Sequence, residues 1–203
     1  MGQLVVTEFL TLDGVAQAPG GPDEDRESGF SHGGWQAPLI DEESSDVMFA
    51  AASGMDALLL GRVTYEIFAG YWPTAPADMP FTGLLNRVPK YVASRTLSDP
   101  LSWEGSSLLA GEVGDSVAAI KDRHDEVHVI GSLDLTQSLL RHGLVDRLVL
   151  WVYPLLLGTG KQLFGDGTVP AALRLTDSTI YPSGAANLVY ELAGTPTYGV
   201  VGE

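Results

Sequence analysis

Three short segments of this chain carry residues suited to holding an anion. The first, Gly61-Arg62-Val63-Thr64, follows the apolar run Ala57-Leu58-Leu59-Leu60. A strand that empties into a helix start leaves backbone N–H groups without intrahelical partners, and glycine lets a ligand approach them closely. The second and third, Ser94-Arg95-Thr96 and Gly131-Ser132, also follow strand-like runs, over residues 90–94 and 126–130. In an open α/β sheet the C-terminal ends of parallel strands share one edge, so these corners can meet on one ligand. Arg62 and Arg95 then form its cationic pair, because a planar guanidinium matches a phosphate monoester better than an ammonium does. The hydroxyls of Thr64, Ser94 and Thr96 can fill the remaining acceptor sites. A dinucleotide with an additional phosphate, NADP(H), fits such an edge. Each segment taken alone is an ordinary turn, and the argument rests on three of them recurring in this order.

Groups that could take part in a reaction are scarcer. The Gly/Pro/Asp/Ser-rich stretch over residues 11–35 lacks apolar periodicity and reads as a long loop, a kind usually tied to function or disorder. It contains His32, a candidate proton donor near neutral pH or else a solvated loop residue, and Trp35, which could stack on a flat ring, as could Trp72. With no cysteine in the chain, thiolate metal sites and cysteine nucleophiles are excluded. His124, His128 and His142 have no ligand spacing, so no metal site is expected. No Gly-x-Ser-x-Gly sets up a serine nucleophile, and no Gly-x-Gly-x-x-Gly follows an early strand.

The elements that must position these residues alternate. Strands are expected over residues 3–9, 57–60, 90–94, 107–109 and 126–130, with helices over 41–51, 63–69, 78–86, 113–123 and from 132 to about 143. After Val145 the texture turns to strands, at 147–154, 173–180 and 187–192, with Pro182-Ser183-Gly184-Ala185 as a turn. This order predicts a three-layer α/β fold: a mainly parallel sheet flanked by helices and closed by a C-terminal antiparallel hairpin. The chain of 203 residues is read as one domain, core about 3–193. The apolar run 148–157 reads as a core strand, with packing against a second subunit as the alternative. A net charge of −15, from 26 acids against 11 bases, repels nucleic acid and anionic membranes, so any phosphate site must be built locally. No apolar run is long enough to span a bilayer and no basic leader opens the chain, so a cytoplasmic location is expected.

Four ordered stretches also resemble a known family. They are Leu-Leu-Leu-Gly-Arg-Val-Thr-Tyr-Glu-Ile-Phe at 58–68, Lys-Tyr-Val-Ala-Ser-Arg-Thr-Leu at 90–97, Val-His-Val-Ile-Gly-Ser at 127–132, and the run from Leu144 to Phe164. Together they are similar to the reductase domain of bacterial riboflavin biosynthesis, a family with the dihydrofolate reductase fold, over nearly the whole chain. The resemblance implies a mixed eight-stranded sheet, NADPH bound across the ends of the central strands, a small-molecule substrate and commonly a homodimer. It places Gly61, Arg62 and Thr64 on the cofactor phosphates, Ser94, Arg95 and Thr96 around the adenosine 2′-phosphate, and Gly131 with Ser132 beneath the pyrophosphate. Asp13 and Gly14 resemble the start of the loop that covers nicotinamide and substrate, making 11–35 a lid. Asp46 stands on the helix that carries the pterin-binding acid of dihydrofolate reductase; its other role is to complement the helix dipole. Dihydrofolate reductase has a Gly-Gly pair where this chain has Gly131-Ser132. The zinc deaminase signature often fused to the riboflavin-type reductase is missing from this sequence. The expected activity is an NADPH-dependent reduction of a heterocyclic substrate, with dihydrofolate reduction or NADP(H) binding without turnover as alternatives.

Overall fold

The apolar runs form the centre of one eight-stranded sheet, because strands covered on both faces need side chains that are apolar on both. The computed structural model describes residues 1–202. In chain order the elements are β1 (Gln3–Thr11), α1 (Glu42–Ala52), β2 (Ala57–Gly61), α2 (Arg62–Tyr71), α3 (Pro80–Arg87), β3 (Lys90–Ala93), β4 (Ser106–Leu108), α4 (Val113–Lys121), β5 (Glu126–Ile130), α5 (Leu133–Arg141), β6 (Arg147–Tyr153), β7 (Leu173–Ile180) and β8 (Ala186–Leu192). The strand order is β4-β3-β2-β5-β1-β6-β8-β7; pairs are parallel as far as β6, and the β6–β8 and β8–β7 pairs are antiparallel. This is the predicted three-layer α/β architecture with its C-terminal hairpin.

Alternation along the strands sorts the core into layers. On one face Leu4, Val6, Leu59, Val127, Val129 and Leu148 pack with Val117, Ile120 and Leu139 of α4 and α5. The other face carries two clusters. Leu58, Leu60 and Val92 meet Tyr65 of α2 and Leu84 and Leu85 of α3, while Val5, Val149, Trp151 and Tyr153 meet Phe30 and Trp35. Helix α1 begins in a reciprocal cap, Asp41 accepting from the Ser44 amide at 2.8 Å and donating its own amide to Ser44 Oγ at 3.0 Å. Helix α3 starts at Pro80, two residues later than expected, because a proline is suited to the first helical position and its missing N–H costs nothing there.

Two differences from expectation bear on the site. The first strand runs on to Thr11, and on its β6 side it stays paired to Thr11↔Tyr153, whereas on its β5 side pairing stops at Thr7↔Ile130. The apolar strand β6 is interior, between β1 and β8, and its side chains are largely buried, while Leu156, in the run that follows it, is exposed. Exposed apolar residues also lie on the edge strand β7, at Leu173, Leu175 and Ile180.

Candidate functional site

The sheet order sets the three corners side by side, since β3, β2 and β5 are consecutive neighbours. Gly61 is the register partner of Ala93, the residue before Ser94, and pairing of Leu58 with His128 brings Gly61 level with Gly131. One hydrogen bond joins the middle corner to the third: the Gly61 amide donates to Ser132 Oγ at 2.9 Å. Neither α2 nor α5 has a side-chain cap. Gly61 has no side chain to offer, and the Ser132 hydroxyl is turned to Gly61 rather than to its own helix. Two helix N-termini with uncommitted amides therefore open at one edge, which is the arrangement that binds phosphate.

The local backbone is costly. Gly131 and Ser132 both have φ of +64°, and for serine this left-handed conformation is disfavoured by about 1 kcal/mol. A Cβ at Gly131 would lie 3.6 Å from Thr64 Oγ1, so the Thr64 hydroxyl belongs to the same corner. At Gly61, by contrast, φ is −77° and a Cβ would make an ordinary 3.5 Å contact with Ser132. The protein's own packing does not demand glycine there.

The arginines are placed at this edge with different commitments. Arg62 is exposed and paired with Glu66 one turn along, at 2.7 Å, an exchangeable surface pair. Arg95 and Thr96 are exposed, and among the described residues the Arg95 guanidinium forms no ion pair. Ser94 Oγ accepts from the amides of Thr96 and Leu97 at 3.1 and 2.9 Å, holding the turn that projects Arg95.

The remaining predicted residues divide. Asp13 lies at the head of the long loop, where it acts as a clasp. One carboxylate oxygen accepts from Thr11 Oγ1 at 2.5 Å and the other from the amides of Leu157 and Gly158 at 3.0 and 2.6 Å, and the Thr11 bond leads in holding its pKa below the usual range. Gly14 takes a φ of +79° beside it. The loop is packed, with Val15, Phe30 and Trp35 buried, and Lys161 pairs with Asp25 and Glu27 at 2.6 Å each. Trp35 is thus a core residue whose Nε1 donates to Gln17 O at 2.8 Å and whose ring meets Tyr153 edge-on, so it offers no open stacking face. Trp72 is not brought to the site: it packs against Phe68 and Phe81 in the cluster between α2 and α3. His32 is exposed, edge-on to Phe30. Asp46 is exposed too. The buried stripe of α1 runs through Ser44 and Ala52, and a residue two positions beyond Ser44 lies about 200° around the helix. Among the described residues no cluster of His, Asp and Glu could hold a metal ion, and no helix is long and apolar enough to cross a membrane.

Several residues in the structure carry signals that the sequence reading passed over. Glu8 is buried in β1, bonded to Thr136 Oγ1 of α5 at 3.3 Å; desolvation pushes its carboxyl up to about 8, against the Thr136 bond. An acid inside the run Leu-Val-Val-Thr-Glu-Phe-Leu was the available signal. Tyr153, at the end of β6, accepts from Gln36 Nε2 at 2.7 Å, and burial pushes its phenol up to about 12. Finally, because β1 outruns β5, the β5-facing backbone flank of β1 beyond Thr7 carries no strand.

An eight-stranded sheet in this order, with an antiparallel hairpin beyond β6, defines a dihydrofolate reductase-like fold. The Enterococcus faecalis dihydrofolate reductase complexed with NADP(H) superposes with a TM-score of 0.57 at 16% identity, covering 95% of this chain and 97% of that one. A putative riboflavin biosynthesis protein from Shewanella sp. PV-4 superposes with a TM-score of 0.72 at 21% identity, over 94% and 98% of the two chains. In sequence, the uncharacterized protein YyaP of Bacillus subtilis (strain 168) is 25% identical over 145 residues, covering 69% of this chain and 76% of that one. The chain belongs to the RibD C-terminal domain family, which it matches over residues 3–188.

Proposed function

We propose that this chain is an NADPH-dependent reductase that delivers hydride to a small heterocyclic substrate, in the manner of the riboflavin-pathway pyrimidine reductases. One observation carries the reading: the two adjoining helix N-termini at Gly61 and Ser132, both without side-chain caps. The amides of α2 and α5, with the Thr64 and Ser132 hydroxyls, hold the pyrophosphate. Arg62 exchanges Glu66 for a phosphate oxygen, and Ser94, Arg95 and Thr96 hold the 2′-phosphate. The unpaired flank of β1 beyond Thr7 offers a backbone donor and acceptor suited to the nicotinamide carboxamide. When bound, the reduced nicotinamide supplies the hydride. The long loop excludes water, and the Tyr153 phenol, oriented by Gln36 and protonated throughout the neutral range, is the proton-bearing group nearest the end of β6. Family membership supports a reductase, and a fold relative complexed with NADP(H) supports the cofactor class. Reduction of a pterin on the pattern of dihydrofolate reductase requires an acid that Asp46, on the exposed side of α1, does not supply. A homodimer, if formed, rests on the β7 edge rather than on β6.

The assignment of Arg95 is tested by calorimetric titration of NADPH and NADH into the wild type and Arg95→Ala. Loss of a charge-assisted contact weakens NADPH binding by about tenfold or more and leaves NADH nearly unchanged. Equal losses for the two cofactors remove the 2′-phosphate assignment. Absorbance at the NADPH band over a panel of pyrimidines, pterins and quinones separates a reductase from a nucleotide-binding protein without turnover.

A further inference from the structure

On the sheet face opposite α4 and α5, three buried polar groups lie together without partners. Trp151 of β6 and Asn187 of β8 are cross-strand register partners, so their side chains stand side by side on one face. Tyr181, in the β7–β8 hairpin, stacks on Trp151 with ring centroids 5.4 Å apart and planes 25° apart. Their relative exposures are 0%, 5% and 3%. Trp151 Nε1, Asn187 Nδ2 and Tyr181 Oη have no hydrogen-bond partner among the described residues. An unmet buried donor costs on the order of 1–3 kcal/mol, and three such groups in contact need a reason beyond folding.

The unmet atoms share a chemistry. The indole N–H and the amide NH2 only donate, and a phenol can donate, while the Asn187 carbonyl oxygen is not among the unpartnered buried atoms. Of the three carboxylates whose charge reaches Tyr181, Glu43 is exposed, Asp41 is spent on capping α1, and Asp177 is exposed on β7 and accepts from the Ser178 amide at 2.9 Å. The wall therefore offers donors to a ligand and no free buried carboxylate to receive an amino group. It lies beside Tyr153, under the segment that packs Phe30 and Trp35 into the same cluster, and the Gln36–Tyr153 bond latches that segment to β6. The wall is closed off from solvent while that latch holds.

We propose that Trp151, Tyr181 and Asn187 form the floor of the substrate site and select a planar ring whose inward edge carries acceptors only, a quinone or cyclic dione, over an aminopyrimidine edge. This names the substrate class of the reductase read above and rests on that reading for the hydride source. Recognition itself is independent of it.

The test reads ligand binding and apo stability together. Wild type, Tyr181→Phe and Asn187→Leu are titrated with 1,4-naphthoquinone, 1,3-cyclohexanedione and 2,4-diaminopyrimidine, with NADP+ binding measured in parallel. The chain has no cysteine, so the quinone meets no thiol. The expected result is saturable binding of the carbonyl compounds to wild type, weakened about tenfold in each variant. Each variant also melts at or above the wild-type temperature without ligand, since it removes an unmet polar group; a residue with a purely structural hydrogen bond would do the opposite. Unchanged binding in the variants overturns the floor, as does absence of binding to wild type. Preference for the diaminopyrimidine overturns the acceptor-edge assignment. If NADP+ fails to bind while the carbonyl compounds bind as expected, the reductase reading falls and the floor stands.

Discussion

The residues at the Gly61–Ser132 corner trade local stability for an open surface. Ser132 occupies a left-handed conformation and spends its hydroxyl on Gly61, leaving the α5 amides uncapped. Beneath it, Glu8 holds a carboxyl where water does not reach. A carboxyl whose folded pKa is raised binds its proton more tightly folded than unfolded. Stability is therefore full below the ordinary value of 4.5, falls through the interval up to about 8, and is flat above it. The slope in that interval is about 1.4 kcal/mol per pH unit from this one group. Glu8→Gln keeps the shape and removes the titration. Its melting temperature relative to wild type should rise between pH 5 and pH 8 and then level off; a constant difference across that range would show that Glu8 ionises freely in the folded protein. The corner residues Gly61, Arg62, Thr64 and Ser132 were legible because strand, glycine and helix follow one another in sequence. Trp151, Tyr181 and Asn187 were not, since their juxtaposition depends on strand pairing across the hairpin and each alone is an ordinary core or turn residue.

Among the elements, the long loop differs most from its sequence. A stretch rich in Gly, Pro, Asp and Ser reads as unstructured, yet its few apolar residues, Val15, Phe30 and Trp35, are spaced irregularly and buried by contacts distant in sequence. Its polar side chains work as straps. Asp13 binds the 157–158 amides, Gln17 Oε1 accepts from the Lys161 amide at 3.0 Å, and the Lys161 ammonium holds Asp25 and Glu27. Such part-exposed pairs are worth about 1 kcal/mol or less each, enough to bias closure without locking it. Lys161→Met should raise amide hydrogen exchange across residues 15–36 and lower turnover while cofactor affinity holds. Unaltered exchange would mean that the buried aromatic residues alone keep the loop down. The strands, in contrast, were readable to within one residue, with β1, two residues longer than expected, the exception. Its continuation to Thr11 is held by β6, a partner about 140 residues away in sequence that no local pattern announces.

For the whole molecule, the alternation of strands and helices, then strands alone, was sufficient to reach the fold class, because parallel crossovers and a closing hairpin leave few arrangements. Charge acts at the same scale. With a net charge of −15 the long-range field opposes an anionic dinucleotide, and the few arginines and the helix N-termini at the edge act in its favour only at short range. Raising ionic strength shortens the Debye length from about 30 Å at 0.01 M to about 8 Å at 0.15 M, which silences the distant acids before the adjacent arginines. NADPH association should therefore quicken with added salt in stopped-flow fluorescence. A slowing would show that the local cations dominate even at long range.

Strand β1 has one half-sheet on each side. The β5, β2 and β3 side carries all three strand-end corners, and the β6, β8 and β7 side carries the wall of unpartnered donors. Only β1 touches both. Drift in the hairpin can reshape the wall while the strand-end corners are inherited unchanged, so descendants of one such chain can vary one half without rebuilding the other.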